Sequence, residues 1–379
     1  MNDVLEDFRR SVAEFAKDRL AEGALERAHQ GEYPRDVARL LARQGLLGLS
    51  IPEDRGGQGA GLRAAITAIQ AVASACPRSA DIVQAGNFGP IRTFAEYATD
   101  EQRERYLPGL LSGDLLIALG MSEPGAGSAV TELTTSATRD GGGWRVSGTK
   151  VFSTHSADAD VYLVYVRFGP GVGGIGSVLV DRNALGLTVG PPSRYLNGEH
   201  WCPLYFDDCH VPDTQVLLGE GGFKKQISGF NVERLGNSAR SIAVGRHAFD
   251  VATEYLLTRE QFGRPLAEFQ GLQWMFADAA VKLESAQLLL DRAATNGDRD
   301  GLPSGVDTAM AKLAANQAGF FAADVAMQAM GGTGFGEDSI VEYCFRRTRG
   351  WMIAGGSVEI LKNRIAESVF GRKFSQRAR

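Results

Sequence analysis

Val4, Phe8, Val12 and Phe15 recur at steps of four, four and three, a spacing that predicts one face of an amphipathic helix at the start of the chain. A second helix is expected after Tyr33-Pro34, ending in Gly45-Leu46-Leu47-Gly48. The turn-rich IPEDRGGQGAG (51–61) separates it from a third, and Leu110 to Leu119 closes this helical region. From about 118 to 218 the period changes to two. WRVSGTKVFS (144–153), DVYLVYVRF (160–168) and GSVLVD (176–181) read as strands, and Gly-Pro-Gly-Val-Gly-Gly (169–174) as the hairpin turn between the last two. Beyond about 220 the helical period returns. Leu272, Met275, Ala279, Leu283, Ala286 and Leu290 step by three, four, four, three and four, the inward face of a bundle helix. The fold class is therefore α+β, divided as 1–117 helical, 118–219 β and 220–379 helical.

The composition adds mainly exclusions. With 379 residues, 44% hydrophobic and 22% charged, the chain has ample core for several packed units. A net charge of −5 and no basic patch argue against nucleic acid as a partner. No apolar run approaches the roughly 18 residues of a membrane span. The acidic amphipathic start MNDVLEDFRRSVAEF is unlike a signal peptide, so a cytoplasmic location is expected. Cys76, Cys202, Cys209 and Cys344 are scattered and read as buried reduced thiols. The Cys202, Cys209, His210 spacing fits no zinc pattern, so no metal is expected. The five histidines suggest no hydrolase triad.

Three segments invite a ligand. MSEPGAGS (121–128) is a Gly/Pro loop able to present backbone N–H groups and the Ser122 hydroxyl to the polar edge of a flat cofactor, or else it is an ordinary tight turn. GTKVFSTHS (148–156) sets Phe152 beside Ser153 and Thr154, an aromatic face with hydroxyls at its edge, or a core phenylalanine. REQFGRPLAEFQ (259–270) offers Arg259 to a pyrophosphate, or to solvent. GGTGFG (331–336) has a dinucleotide-loop look but follows a helical run, which removes the Rossmann reading.

Together with QAMGGTGF (328–335), LYFDDCHVPDTQVLLG (204–219) and SVEI after a glycine pair, these segments resemble the acyl-CoA dehydrogenase family in the family's order along the whole chain. The resemblance implies an N-terminal helical domain, a small β-barrel-like middle domain, a C-terminal four-helix bundle, and FAD as cofactor. It places Leu119, Met121, Ser122, Gly127 and Ser128 along the flavin, with Phe152, Ser153 and Thr154 flanking the ring. Arg259, Phe262, Phe269, Gln270, Gln328, Gly331 and Gly332 would reach the FAD of a neighbouring subunit, and Ser357 and Glu359 would close the site. Ser128, Asn231, Arg234, Gly355 and Gly356 would follow the pantetheine and thioester of an acyl-CoA or acyl carrier protein substrate. Ser122 and Phe152 stand where the family usually has threonine and tryptophan, and Asn231 where it often has aspartate. The resemblance also implies a homotetramer and reoxidation by electron-transfer flavoprotein or a similar acceptor.

The family's reaction removes a proton α to a thioester, which calls for a desolvated carboxylate with a raised pKa. In much of the family that glutamate opens a Glu-Gly-Thr triplet; here the triplet is Gly355-Gly356-Ser357. Glu233, in an ERL context similar to that of the isovaleryl- and long-chain-type members, is the expected base, with pairing to Arg234 or helix capping as the bland alternative. Glycine at 355 is expected to leave room for Glu233 or for a bulky acyl group. The chain also resembles a sulfinopropionyl-CoA desulfinase branch, which carries an amide at this place; a carboxylate favours proton abstraction. Desaturation at γ,δ, an oxygen-dependent oxidase or monooxygenase, and a silent partner subunit are the other readings. Gln84, Asn87 and Phe88 are candidates for the acyl pocket.

Overall fold

The computed structural model describes residues 2–374, which form two compact units. One gathers the chain up to His29, Leu62–Gln84 and the segment from Asn231 onward; the other comprises Gln30–Gly61 and Ala85–Phe230.

The second unit is built on a nine-stranded sheet. Val161–Arg167 is buried on both sides, and its alternation sorts the cores. Val161, Leu163 and Tyr165 join Ile91, Phe94 and Leu110 of the flanking helices, while Tyr162, Val164 and Val166 join Val146, Leu204 and Val211. The expected hairpin forms: Val161–Arg167 pairs antiparallel with Ile175–Asp181. Ile117–Gly120 pairs parallel to Val161–Arg167, which delivers the Met121–Ser128 loop at the sheet end. The long strand Gly143–Thr154 runs antiparallel to His200–Pro212, with a register shift between Lys150 and Ser153.

The first unit is helical. Gly305–Met330 packs against Gln270–Asp300, Ile340–Trp351 and Val358–Val369, and it is central because small residues bury it on several sides, Ala309, Ala311, Ala315, Gly319 and Ala322 among them. Of the expected stripe on Gln270–Asp300, Ala279, Leu283, Ala286 and Leu290 are buried, while Leu272 and Met275 stay half-covered. The N-terminal helix Asn2–Leu20 packs through Val12, Ala16 and Leu20; Val4, expected on the same stripe, remains in solvent. The 36-residue helix Phe223–Thr258 meets Gly305–Met330 at glycine. A Cβ on Gly245 would lie 2.6 Å from the Gly319 Cα, and one on Gly319 would overlap the Ser241 carbonyl oxygen. Ser241 Oγ donates to Ala315 O at 3.1 Å, so partners step by four on both helices and the two run parallel. Gly319→Ala is expected to cost about 1–3 kcal/mol of unfolding free energy, read from denaturant titration; an unchanged midpoint would mean that the helices part freely.

The four cysteines are free and buried. No helix among the described residues is long and apolar enough to cross a membrane.

Candidate active site

In the sheet unit, the expected flavin loop is tied down by a buried ion pair. Lys150 Nζ donates to Glu123 Oε1 at 2.7 Å and to Met121 O at 3.3 Å. Glu123 also accepts from the Thr134 and Thr135 backbone N–H groups and from the Thr134 hydroxyl, at 2.7–2.9 Å. Burial pushes the Glu123 carboxyl up, but the Lys150 charge and these donors outweigh it and hold it at about 2. The loop is further fixed by Val151 N donating to Ser122 O at 2.9 Å. Gly125 and Gly127 border open space where a Cβ would stand, and Ser128 is exposed. The Ser122 hydroxyl makes no hydrogen bond among the described residues.

Phe152 owes its position to a β-bulge. Lys150 pairs with Leu204 and Ser153 with Cys202, so the strand carries one extra residue there. The bulge puts Phe152 at φ 57° and leaves the ring 59% exposed, 4.7 Å from the Trp201 ring. Phe152 is thus a surface plate, not a core residue. Its neighbours divide: Thr154 is exposed, but Ser153 is buried and its hydroxyl donates to Leu119 O at 2.7 Å, so the expected hydroxyl edge reduces to Thr154 and Ser122.

In the helical unit, Glu260–Gln261 and Arg264–Pro265 form a small hairpin whose two-residue tip, Phe262 and Gly263, has φ 54° and 76°. Asn or Gly is usual at such a tip; here a phenylalanine ring stands 95% exposed. Phe269 lies 6.2 Å from it by centroids and carries the Arg264 guanidinium at 4.2 Å. Arg259, Gln270, Gln328, Gly331 and Gly332 are exposed, with open space around both glycines. Exposed rings on strained backbone, an exposed guanidinium and glycine loops open to close approach are what a flat heteroaromatic cofactor with a diphosphate requires, so the residues present fit FAD.

Glu233 lies well inside Phe223–Thr258, which rules out a helix-capping role. Its side chain is 17% exposed, its Oε2 accepts from Gln84 Nε2 at 2.5 Å, and the Arg240 guanidinium is 4.0 Å from Oε1. Burial raises its pKa to about 7 against the opposing charges of Arg240 and Lys312 and the Gln84 hydrogen bond. Asp81, on the same helix as Gln84, accepts from Arg240 at 2.9 Å and pairs with Arg347 at 3.0 Å and Arg78 at 3.4 Å. Arg234 donates to Asn231 Oδ1 at 2.9 Å and to the Gly355 carbonyl at 3.4 Å.

Gly355 and Gly356 have φ 71° and 91°. The sequence suggested that Gly355 leaves room for Glu233 or for a bulky acyl group; in the structure a Cβ there would meet Lys312 Cε at 3.3 Å and Asn237 Nδ2 at 3.9 Å, so the nearest neighbour is a lysine stem. Ser357 caps the helix Val358–Val369, and Glu359, fully exposed and hydrogen-bonded to Ser357, has a lowered pKa. It is ionised throughout the neutral range, in which Glu233 titrates. Of the pocket candidates, Gln84 meets Glu233. Asn87 is buried and committed to Leu46 O and Ser50 N, and Phe88 is fully buried. Lys312, Arg240 and Asp81 were not singled out in the sequence; the legible signal for the first is a lone lysine among the alanines of 309–315.

Family models match the whole architecture: "Acyl-CoA dehydrogenase, N-terminal domain" over residues 2–114, the middle domain over 118–209 and the C-terminal domain over 220–370. The chain therefore belongs to the acyl-CoA dehydrogenase family, FAD-dependent oxidoreductases. It is 32% identical to a 3-sulfinopropanoyl-CoA desulfinase of Paraburkholderia xenovorans over 385 residues, covering 100% of this chain and 98% of that protein. It is 33% identical to an acyl-CoA dehydrogenase of Bacillus subtilis over 368 residues, covering 96% and 97%. Among solved structures, a glutaryl-coenzyme A dehydrogenase with glutaryl-CoA superposes with a TM-score of 0.93 at 27% identity, over 100% and 99% of the two chains.

Proposed function

We propose that this enzyme desaturates an acyl thioester between its α and β carbons, with Glu233 as the base. The observation that carries the reading is a carboxylate largely withdrawn from water, held by Gln84 and with a pKa near neutrality, in a chain whose usual base position is glycine. The α C–H bond breaks, its proton goes to Glu233, and its electron pair becomes the new π bond. The hydride that leaves the β carbon needs a two-electron acceptor, which is the chemistry that bound FAD would supply. A carboxyl near pH 7 both takes a proton from a weak carbon acid and releases it afterwards. Gln84 orients the carboxylate, and Asp81 fixes the Gln84 helix through three arginines.

In this reading Leu119, Met121, Ser122, Gly127, Ser128, Phe152, Ser153 and Thr154 hold the flavin, Ser153 through its backbone. Arg259, Phe262, Phe269, Gln270, Gln328, Gly331 and Gly332 serve the FAD of a second copy, and Ser357 and Glu359 complete the site. Ser128, Asn231, Arg234, Gly355 and Gly356 follow the thioester arm of CoA or an acyl carrier protein. A homotetramer is supported by Trp274, Val281 and Leu288, exposed at intervals of seven along Gln270–Asp300. Electron-transfer flavoprotein or a similar protein is the proposed acceptor. A desulfinase reading competes through the relatives' names, and the carboxylate at 233 weighs against it.

The test is anaerobic: FAD-loaded enzyme is mixed with butyryl-, isobutyryl-, isovaleryl-, glutaryl- and 3-sulfinopropanoyl-CoA, and with the same acyl groups on carrier protein. Loss of the visible flavin band with an α,β-enoyl product is expected for at least one acyl class. A flavin band unchanged by every thioester overturns the proposal, and so does sulfite release from the sulfinate without flavin reduction.

A further inference from the structure

Glu233 and Arg240 stand two turns apart on one face of Phe223–Thr258, and Asp81 and Gln84 stand one turn apart on Pro77–Ala85. The two faces pair in reverse order. Gln84 Nε2 donates to Glu233 Oε2 at 2.5 Å, and Arg240 Nη1 donates to Asp81 Oδ1 at 2.9 Å. The other Glu233 oxygen, Oε1, accepts no hydrogen bond among the described residues. Arg240 Nη2 is 4.0 Å from it, which is too far for one. Arg240 has donors to spare, since its Nε is buried with no acceptor among the described residues. A guanidinium in that condition ordinarily closes on a carboxylate so near. Asp81 withholds it, and Asp81 is anchored in turn: its second oxygen is held by Arg347 of Ile340–Trp351 at 3.0 Å and by Arg78 at 3.4 Å. The Arg240 and Arg347 guanidiniums also lie on the Trp351 ring, 5.0 and 4.7 Å from its centroid.

We propose that Asp81 and Arg240 are positioning residues of the reaction: Asp81 holds the guanidinium beside Glu233 Oε1 but short of bonding it, which leaves that oxygen to take the substrate proton with a cation alongside. The proposal rests on Glu233 being the base and adds the pair that decides which of its oxygens works. Two opposite failures are avoided. With no cation near, a carboxylate this dry picks up a proton from water before substrate arrives. With a cation bonded to it, the oxygen is occupied and its affinity for the α proton falls. A guanidinium keeps its charge at any working pH, and one restrained at 4.0 Å by a second carboxylate meets both conditions. The sign agrees, since Arg240 is the largest of the influences that oppose burial at Glu233. The other charges about the base are Lys312 and Arg234. Lys312 of Gly305–Met330 opposes protonation less and is itself brought by burial to about 7. Arg234, next on the same helix, donates to Asn231 Oδ1 and the Gly355 carbonyl, with Arg364 of Val358–Val369 pressing on it.

The experiment titrates Glu233 directly in the full-length, FAD-loaded protein. Infrared difference spectra from about pH 5 to about pH 9 follow the protonated carboxyl band, assigned by its absence in Glu233→Gln. Arg240→Gln removes the charge and keeps a donor for Asp81. Its midpoint is expected to rise by about one pH unit, so that at the wild-type midpoint the ionised share falls from half to about one tenth. Asp81→Asn keeps the guanidinium and releases it onto Glu233, so its midpoint is expected to fall by about one pH unit. Its rate of flavin reduction on the alkaline plateau is expected to drop about tenfold, for whichever acyl-CoA of the panel reduces the wild type. A purely structural cluster would change stability and leave both the titration and the plateau in place. Midpoints that stay put, or that move in the same direction in the two variants, overturn the proposal, and so does an Asp81→Asn plateau at the wild-type level. If Asp81→Asn does not accumulate folded, Asp81→Asn/Arg347→Gln, which removes one guanidinium together with the acid, is read by the same criteria. Since the titration needs no thioester, a silent substrate panel with midpoints that move apart would overturn the proposed reaction and leave the hold of Asp81 on Arg240 standing.

Discussion

Glu233→Gln should reduce the rate of flavin reduction by a good acyl thioester about 10³-fold, within the span of about 10²–10⁴ that a positioned base contributes. Glutamine is close in shape and can still meet Gln84, so FAD content and folding should be preserved while proton abstraction is lost. In the wild type the rate should rise with pH through about 7, because the working form is the ionised carboxylate and burial has lifted its pKa there. The limb should vanish in Glu233→Gln. Stopped-flow absorbance under anaerobic conditions reads both. Returning a carboxylate to the other position, as Glu233→Gln/Gly355→Glu, should not restore the rate. Position 355 has φ 71°, which a glutamate adopts only under strain, and its Cβ would press on the Lys312 stem at 3.3 Å. A single variant that keeps more than a tenth of wild-type rate would remove Glu233 from the role.

The largest stability effect is expected far from that carboxylate in the sequence, at Lys150 and Glu123. Both are almost entirely withdrawn from solvent and 2.7 Å apart. Lys150→Met leaves the Glu123 charge buried with only neutral donors and should cost about 3–5 kcal/mol in denaturant unfolding. Glu123→Gln/Lys150→Met should recover part of that, as a double-mutant cycle would show. The pH dependence has a definite sign. Glu123 is held at about 2 in the folded chain against 4.5 ordinarily, so its contribution is present above about 4.5 and is lost as pH falls toward 2. Lys150 is lowered by burial, with Glu123 opposing, to about 8, so both groups are charged at neutral pH. A Lys150→Met protein as stable as wild type would show the pair to be dispensable.

Much of this fold was legible because each period was long and clean. The alternation of 160–168 and 176–181 became two strands in antiparallel register, and the glycine-rich turn joined them. In the proposed site the sequence pointed to side chains that stand singly, Glu233 by its ERL context and Phe152 by its place at a strand end. The site was not legible where several elements converge. Nothing near Lys312 in sequence says that it lies against Gly355, and Asp81 looks like any helical aspartate until three arginines from three helices close on it. Ser153 was misread for a local reason: a one-residue bulge turns Phe152 outward and the Ser153 hydroxyl inward, and bulges leave no reliable mark on the alternation that precedes them.

The glycine-to-glycine contact between Phe223–Thr258 and Gly305–Met330 acts as a detent. With no side chain at Gly245 or Gly319 the two rods sit too close to slide, and the notch fixes their longitudinal setting. Glu233 rides on the first rod, and the second carries the lysine that holds the Trp351 and Gly356 carbonyls, so the setting of one beside the other is fixed remotely, by atoms that bear no charge at all. A slip of one helical turn, about 5.4 Å, would carry Glu233 away from its surroundings while leaving every chemical group intact. Substitutions at the notch should therefore announce themselves in the acid limb of the rate profile as well as in the melting curve.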